Sequence, residues 1–103
     1  MEENQNTQTN QLLAAAKLAL RISGTDFDSE ITMLIESGLL DLGLAGVLVP
    51  SEVTSIVTHA VITYVKMNFG QPDNYDQLKT SYDEQKSQLS TATGYTNWLN
   101  SEV

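Results

Sequence analysis

The stretch from 51 to 69 constrains the fold more than any other part of the sequence. Its apolar residues recur every three or four positions, which is the spacing of one α-helix face. These residues are Val53, Ile56, Val57, Ala60, Val61 and Tyr64, and Ile62, Val65 and Phe69 form a second stripe beside them. A helix that is apolar over most of its circumference needs neighbours on several sides. We therefore predict a buried central helix over 51–69, with the other segments packed around it.

The ends of this helix are also marked in the sequence. Pro50 interrupts the preceding segment and Ser51 is a favourable N-cap. Gly70, followed by Pro72, favours a stop. Abundant Val, Ile and Thr would also suit a buried β-strand, but the length and spacing of the pattern favour the helix. The polar residues fall on one narrow strip, which consists of Glu52, Ser55, His59, Thr63 and Lys66.

Three further segments, 10–22, 29–42 and 74–90, have helical periodicity. Their expected inner residues are Leu12, Leu13, Ala16, Ala19 and Leu20; Ile31, Leu34, Ile35, Leu39 and Leu42; and Tyr75, Leu78, Tyr82 and Leu89. We expect Gly24 to end the first helix in a left-handed conformation, and Thr25–Ser29 to form the cap and first turn of the second. Gly38 marks either a close helix crossing or a weak point of its helix.

The predicted fold class is therefore all-α, with a single small bundle of about four helices around the central helix. The 103 residues fit one domain. Residues 1–9 are polar and without periodicity, so we expect a disordered N-terminus. The helical domain then covers 10–90, and 91–103 form an irregular C-terminal tail.

Apolar residues remain outside the predicted helices, in the loop GLAGVLVP (43–50) and in the tail. Loops normally run over the surface, so these residues must either pack on their own core or meet another chain. The modest core of a chain this size favours the second possibility for some of them. The candidate contact residues are Leu44, Val47, Leu48, Val49, Tyr95, Trp98 and Leu99.

Composition excludes several function classes. Thirteen acidic and five basic residues give a formal charge of −8, which leaves few cations to neutralise the phosphates of duplex DNA. There is no cysteine and only one histidine, His59, so a zinc site is not expected. No catalytic or phosphate-binding motif is present, and no apolar run is long enough to span a bilayer. The polar N-terminus is unlike a signal peptide. We expect no enzyme activity, cofactor or metal.

Lys17 and Arg21 lie one turn apart on the first helix, and we expect both to be exposed. They form either a solvated face or a small basic contact for an acidic neighbour. The acidic surface of the chain could likewise serve solubility, repel DNA, or meet a basic partner.

The C-terminal third carries a more specific pattern. Tyr75, Leu78, Lys79, Tyr82, Lys86 and Leu89 are followed by the tail sequence ATGYTNW at 92–98. Together with the upstream segments LLAAAKLALRIS and AVITYVKMNFG, this pattern resembles the small head–tail connector proteins of tailed bacteriophages and prophages. The resemblance covers about 12–98.

The resemblance implies an all-helical subunit that assembles as a ring, dodecameric in the virion, below the portal protein. Such a ring extends the DNA channel, carries a tail-proximal adaptor or stopper protein and has no enzymatic activity. It implies DNA that passes through the channel without sequence-specific binding, no membrane partner, and a location at the head–tail junction after assembly in the host cytoplasm. Tyr95 and Trp98 would be docking residues.

Two other interpretations remain open from the residues. One is an acidic phage regulatory protein that mimics DNA and binds a basic partner. The other is a small enzyme that works with carboxylates such as Asp26 and Asp28.

Overall fold

A computed structural model of the chain describes residues 2–47 and 55–91, with the backbone alone over 2–8. Within these ranges the chain forms four helices and no strand. They are α1 (Glu2–Leu20), α2 (Asp28–Leu44), α3 (Ser55–Asn68) and α4 (Tyr75–Thr91). The prediction of a small all-α bundle is confirmed.

Helix α3 is the centre of the bundle and packs against α1, α2 and α4. Its apolar face is fully buried over Val57, Ala60, Val61 and Val65. The predicted central helix is thus confirmed for the described part of 51–69. Its C-terminal stop is also confirmed, because Gly70 has φ +67°.

Two side chains of α3 differ from the prediction. Ile56 was expected inside but is 57% exposed, in the first turn of α3. Thr63 was expected on the polar strip but is buried. Its hydroxyl donates to the carbonyl oxygen of His59 at 2.9 Å, and this bond lets a polar side chain lie inside the bundle.

Helix α1 begins at Glu2, whereas the sequence pattern predicts disorder over 1–9 and a helix from 10. Residues 2–9 contain neither glycine nor proline, so no backbone feature stops the helix from extending. A helix can therefore extend over these residues without an apolar stripe. The division into a domain over 10–90 and a tail over 91–103 stays a prediction, since 92–103 lie outside the described residues.

The end of α1 is not where the sequence predicts it. Arg21 has φ +63°, and Gly24 has no positive φ. The Ile22 N–H donates to the Lys17 carbonyl at 2.9 Å, and the Arg21 N–H donates to the Leu18 carbonyl at 3.2 Å. These two bonds define a Schellman motif with Arg21 as its left-handed residue. Ile22 packs against the core, which holds the turn in place despite the unfavourable arginine.

Helix α2 ends in a second Schellman motif, with Gly46 at φ +94°. The Val47 N–H donates to the Leu42 carbonyl at 2.9 Å. Val47 is only 4% exposed and belongs to the hydrophobic core together with Leu42. Val47 of the apolar loop therefore folds back onto its own domain, which is one of the two alternatives stated for the loop.

Two contacts set how the α2 region lies against α3 and its C-terminal end. A Cβ placed on Gly38 would lie 3.1 Å from a ring carbon of Tyr64, so the predicted close crossing of α2 and α3 is confirmed. The rings of Phe27 and Phe69 meet edge to face at 5.5 Å between centroids. Phe27 occupies the N-cap position of α2, so the cap and the start of the first turn lie within 25–29 as predicted, but no side chain caps the helix. Instead the Asp28 N–H donates to the Thr25 carbonyl at 3.2 Å.

Candidate functional site

Of the residues predicted to contact another chain, the described part of the structure contains two. Leu44 is 81% exposed at the end of α2, whereas Val47 is buried within its own domain. Leu48 and Val49, with Tyr95, Trp98 and Leu99, lie outside the described residues. Leu44 is thus the predicted contact residue that the structure places on the surface.

Leu44 continues a line of exposed side chains along α2, which we call the α2 ridge: Met33, Ser37, Leu40 and Leu44. Their spacings of four, three and four place them on one strip of the helix. Met33 is 66% and Leu40 67% exposed. The opposite strip of the same helix is fully buried over Ile31, Ile35 and Leu42. Helix α2 is therefore apolar on two opposite faces, and its own bundle covers one of them.

Single exposed apolar residues are normal in soluble proteins, but an aligned row of them is a sign of a contact surface. The α2 ridge runs about 16 Å along the helix axis. Met33, Glu36, Ser37 and Leu40 line a shallow depression of about 240 Å³ on it. The sequence pattern does not predict Met33 and Leu40 as contact residues, because it marks only the inner stripe of the helix. Their spacing from Leu44 was the signal that could have shown them.

A second surface lies between α1 and α3, and we call it the α3 groove. It is a wide, open groove of about 480 Å³, lined by Ala19, Ser55, Thr58, His59, Ile62 and Lys66. The α3 residues among these share one strip of the helix, which includes part of the predicted polar strip. Ala19 was expected on the inner face of α1 but is exposed in this groove. His59, whose role the sequence left open, lies on the groove surface.

The two surfaces lie on opposite sides of the α2–α3 pair. Helices α2 and α3 cross at Gly38 and Tyr64. On α2 the ridge is on the side away from Gly38. On α3 the groove residues His59 and Ile62 are on the side away from Tyr64. One face of the protomer thus carries an apolar ridge, and the reverse face carries an apolar and cationic groove.

A polar network beside the ridge joins α2 to α4. Asp41 Oδ2 accepts a hydrogen bond from the Tyr82 hydroxyl at 2.6 Å and another from Lys86 Nζ at 3.1 Å. The Tyr82 bond, with the Lys86 ammonium, lowers the pKa of Asp41, although partial burial acts in the opposite direction. Burial and the bond to Asp41 together raise the pKa of Tyr82 well above its usual range. At neutral pH the Asp41 carboxylate is therefore charged and the Tyr82 hydroxyl is protonated.

The ion pairs of the described residues involve three of the lysines. Lys86 of α4 pairs with Asp41 of α2 at 3.1 Å, and Lys79 pairs with Asp83 at 3.0 Å. Lys17 pairs with Asp28 at 2.8 Å, so the predicted exposed couple of Lys17 and Arg21 does not exist as a unit. Lys17 thus meets an acidic neighbour of its own chain.

Within the described ranges no group of three His, Cys, Asp or Glu side chains is arranged to hold a metal ion. None of the helices in these ranges has the length and apolar character of a membrane span.

Comparisons with known proteins complete the description of the chain. Neither the curated proteins nor the solved structures gave a significant match. A family model described as phage connector protein matches residues 12–96, and the chain belongs to that family.

Proposed function

We propose that this chain is a structural subunit of the head–tail connector. Copies of it form a ring, dodecameric in the virion, below the portal protein. The ring extends the DNA channel and carries the tail-proximal adaptor or stopper protein. The chain works at the head–tail junction of the virion and has no catalytic role.

The observation that carries this proposal is the family match over residues 12–96. The apolar α2 ridge supports it, because a subunit of a ring needs surface that its own core does not cover. Leu40 and Leu44 supply such surface on the outside of a well-packed helix. Trp98 and Tyr95 are further contact candidates in the tail, where aromatic side chains suit an interface hot spot.

The charge of the chain fits a channel subunit. A formal charge of −8 repels the phosphates of DNA, so DNA can slide past without being held. Lys17, Lys79 and Lys86 each pair with a carboxylate of the chain, which leaves fewer cations for phosphate contacts.

The test is deletion of the gene from the phage or prophage that encodes it, with the chain supplied from a plasmid. We expect the deletion to yield DNA-containing heads and separate tails in electron micrographs, and the plasmid to restore whole virions. A plasmid copy with Glu84→Gln, an exposed α4 position, is the matched control and should restore virions fully. Whole, infectious virions without the chain would overturn the proposal.

Binding to purified portal protein separates the connector from the acidic regulatory alternative. A connector subunit should co-sediment with portal rings in a fixed stoichiometry. A DNA-mimicking regulator would stay near the 11.3 kDa protomer mass or twice that mass, and would bind a basic protein instead.

A further inference from the structure

We infer that neighbouring copies of this chain join by insertion of the α2 ridge of one copy into the α3 groove of the next. This inference rests on the proposed ring. The occupant of the groove is thus a second copy of the same chain, and each copy uses both surfaces at once.

The placement of the two surfaces is the first argument. They lie on opposite sides of the Gly38–Tyr64 crossing, on reverse faces of the protomer. A contact that joins two different surfaces repeats from copy to copy, and it closes into a ring when the rotation between copies allows. A single self-complementary patch would stop at a dimer.

The match in length is the second argument. The ridge extends from Met33 to Leu44 and the groove from Ser55 to Lys66. Each spans eleven residue steps, or about 16 Å along its helix. The ridge presents long apolar side chains, whereas Ala19 and Ser55 in the groove are small. Packing a row of large side chains into a furrow between smaller ones is the usual way that helices meet.

Charge is the third argument. Glu36 lines the depression on the ridge, and Lys66 lines the groove. No ion pair to Lys66 or Glu36 is present among the described residues. Joining the copies would bring opposite charges together at the edge of an apolar contact, which favours correct pairing of the two surfaces.

The absence of cysteine from the chain allows a direct test. The full-length double variant Ser37→Cys with Ser55→Cys carries one thiol on each surface. Treated at high protein concentration with a short bis-maleimide, it should give a series of covalent dimers, trimers and larger species. Each single variant should give dimers at most. The control pair Ser37→Cys with Asp73→Cys, whose second thiol lies in the α3–α4 turn, should give at least tenfold less of the larger species.

A charge exchange gives the second readout. Glu36→Lys and Lys66→Glu, each placed in the double-cysteine background, should reduce the larger cross-linked species roughly threefold to fivefold. Combining the two exchanges should restore them, because the opposite charges then meet again. Glu84→Lys alters the net charge as Glu36→Lys does but lies on α4, so it should have no such effect.

The outcomes separate this inference from the proposed function. If the double-cysteine chain yields no more multimer than the control pair, the inference is overturned. It is also overturned if the thiol of a monomeric Ser37→Cys variant is shielded from a thiol reagent, because the ridge is then covered by its own chain. Gene deletion could prevent tail attachment while the double-cysteine chain shows no specific cross-linking. That result would support the connector role and refute only the proposed interface.

Discussion

Tyr82 on α4 donates a hydrogen bond to Asp41 on α2 at 2.6 Å, and its ring meets Tyr64 of α3 edge to face at 5.3 Å. The Tyr64 ring in turn lies over Gly38 of α2. Three helices are therefore fixed by one continuous set of contacts. Asp41 directly follows Leu40, so these contacts also fix the helix that presents the α2 ridge.

Tyr82→Phe removes the hydroxyl and keeps the ring. We expect a loss of about 2 kcal/mol in the free energy of unfolding, because the lost hydrogen bond has a charged acceptor and Asp41 stays partly buried. Urea denaturation followed by circular dichroism measures this. Tyr75→Phe is the matched control, since Tyr75 is 40% exposed, and it should change stability little. Equal effects of the two variants would contradict the role given to Asp41.

The same pair predicts how stability depends on pH. The native state lowers the pKa of Asp41, so its contribution is present above the unfolded value near 3.9 and is lost as pH falls through the native value. The native state raises the pKa of Tyr82, so that contribution is present below about pH 10 and is lost as pH rises beyond it. In the Tyr82→Phe variant, the free energy of unfolding should fall less at acid pH and also less at alkaline pH than in the wild type. Parallel curves for variant and wild type would show that the pair is not the cause.

Periodicity was sufficient to predict the helices and most buried residues. Ile31, Ile35 and Leu42 recur at helical spacing, and all three are fully buried. The pairing of Asp41 with Tyr82 could not be predicted this way. The two residues are 41 positions apart, and they meet because α2 and α4 both pack against α3.

The ends of the helices and the outer surface were harder to predict. The preference of glycine for the left-handed region predicts Gly24 as the residue that ends α1. The structure places Arg21 in that region instead, because Ile22 packs against the core. Met33 and Leu40 lie outside the inner stripe that periodicity predicts, and α2 has a second apolar face. The sequence alone does not distinguish an apolar residue that is buried in its own chain from one that is covered by another chain.

Gly38→Ala tests the close crossing. Alanine favours a helix over glycine by up to about 1 kcal/mol, but the added methyl would lie 3.1 Å from the Tyr64 ring. That ring cannot shift freely because it packs on Tyr82. We expect Gly38→Ala to lower the denaturation midpoint. Gly43→Ala in the same helix, where an added Cβ meets nothing within 4 Å, should raise it. A midpoint for Gly38→Ala above that of the wild type would show that the crossing has room.

Arg21→Gly should stabilise the protein. Arginine at φ +63° is in a region where L-residues cost about 1 kcal/mol and glycine does not. We expect a gain of roughly 0.5–1 kcal/mol, measured as a higher urea midpoint with unchanged helical circular dichroism. Gly24→Ala is the companion variant. If Gly24 were the left-handed residue, that change would destabilise the chain; with the turn at Arg21 it should be neutral or slightly stabilising.

Two aspartate variants distinguish a core residue from a surface residue of the apolar segment: Val47→Asp and Leu44→Asp. Val47 is 4% exposed, so a carboxylate there has no water and no partner, and we expect a loss of about 3 kcal/mol or more, with partial unfolding. Leu44 is 81% exposed, so the same change leaves the fold intact but places a charge on the α2 ridge. Thermal denaturation and cross-linking of the Ser37→Cys, Ser55→Cys chain measure both effects. Leu44→Asp should keep the melting temperature and reduce the multimers. A Leu44→Asp chain that melts normally and cross-links like the parent would remove the end of the ridge from the contact between copies.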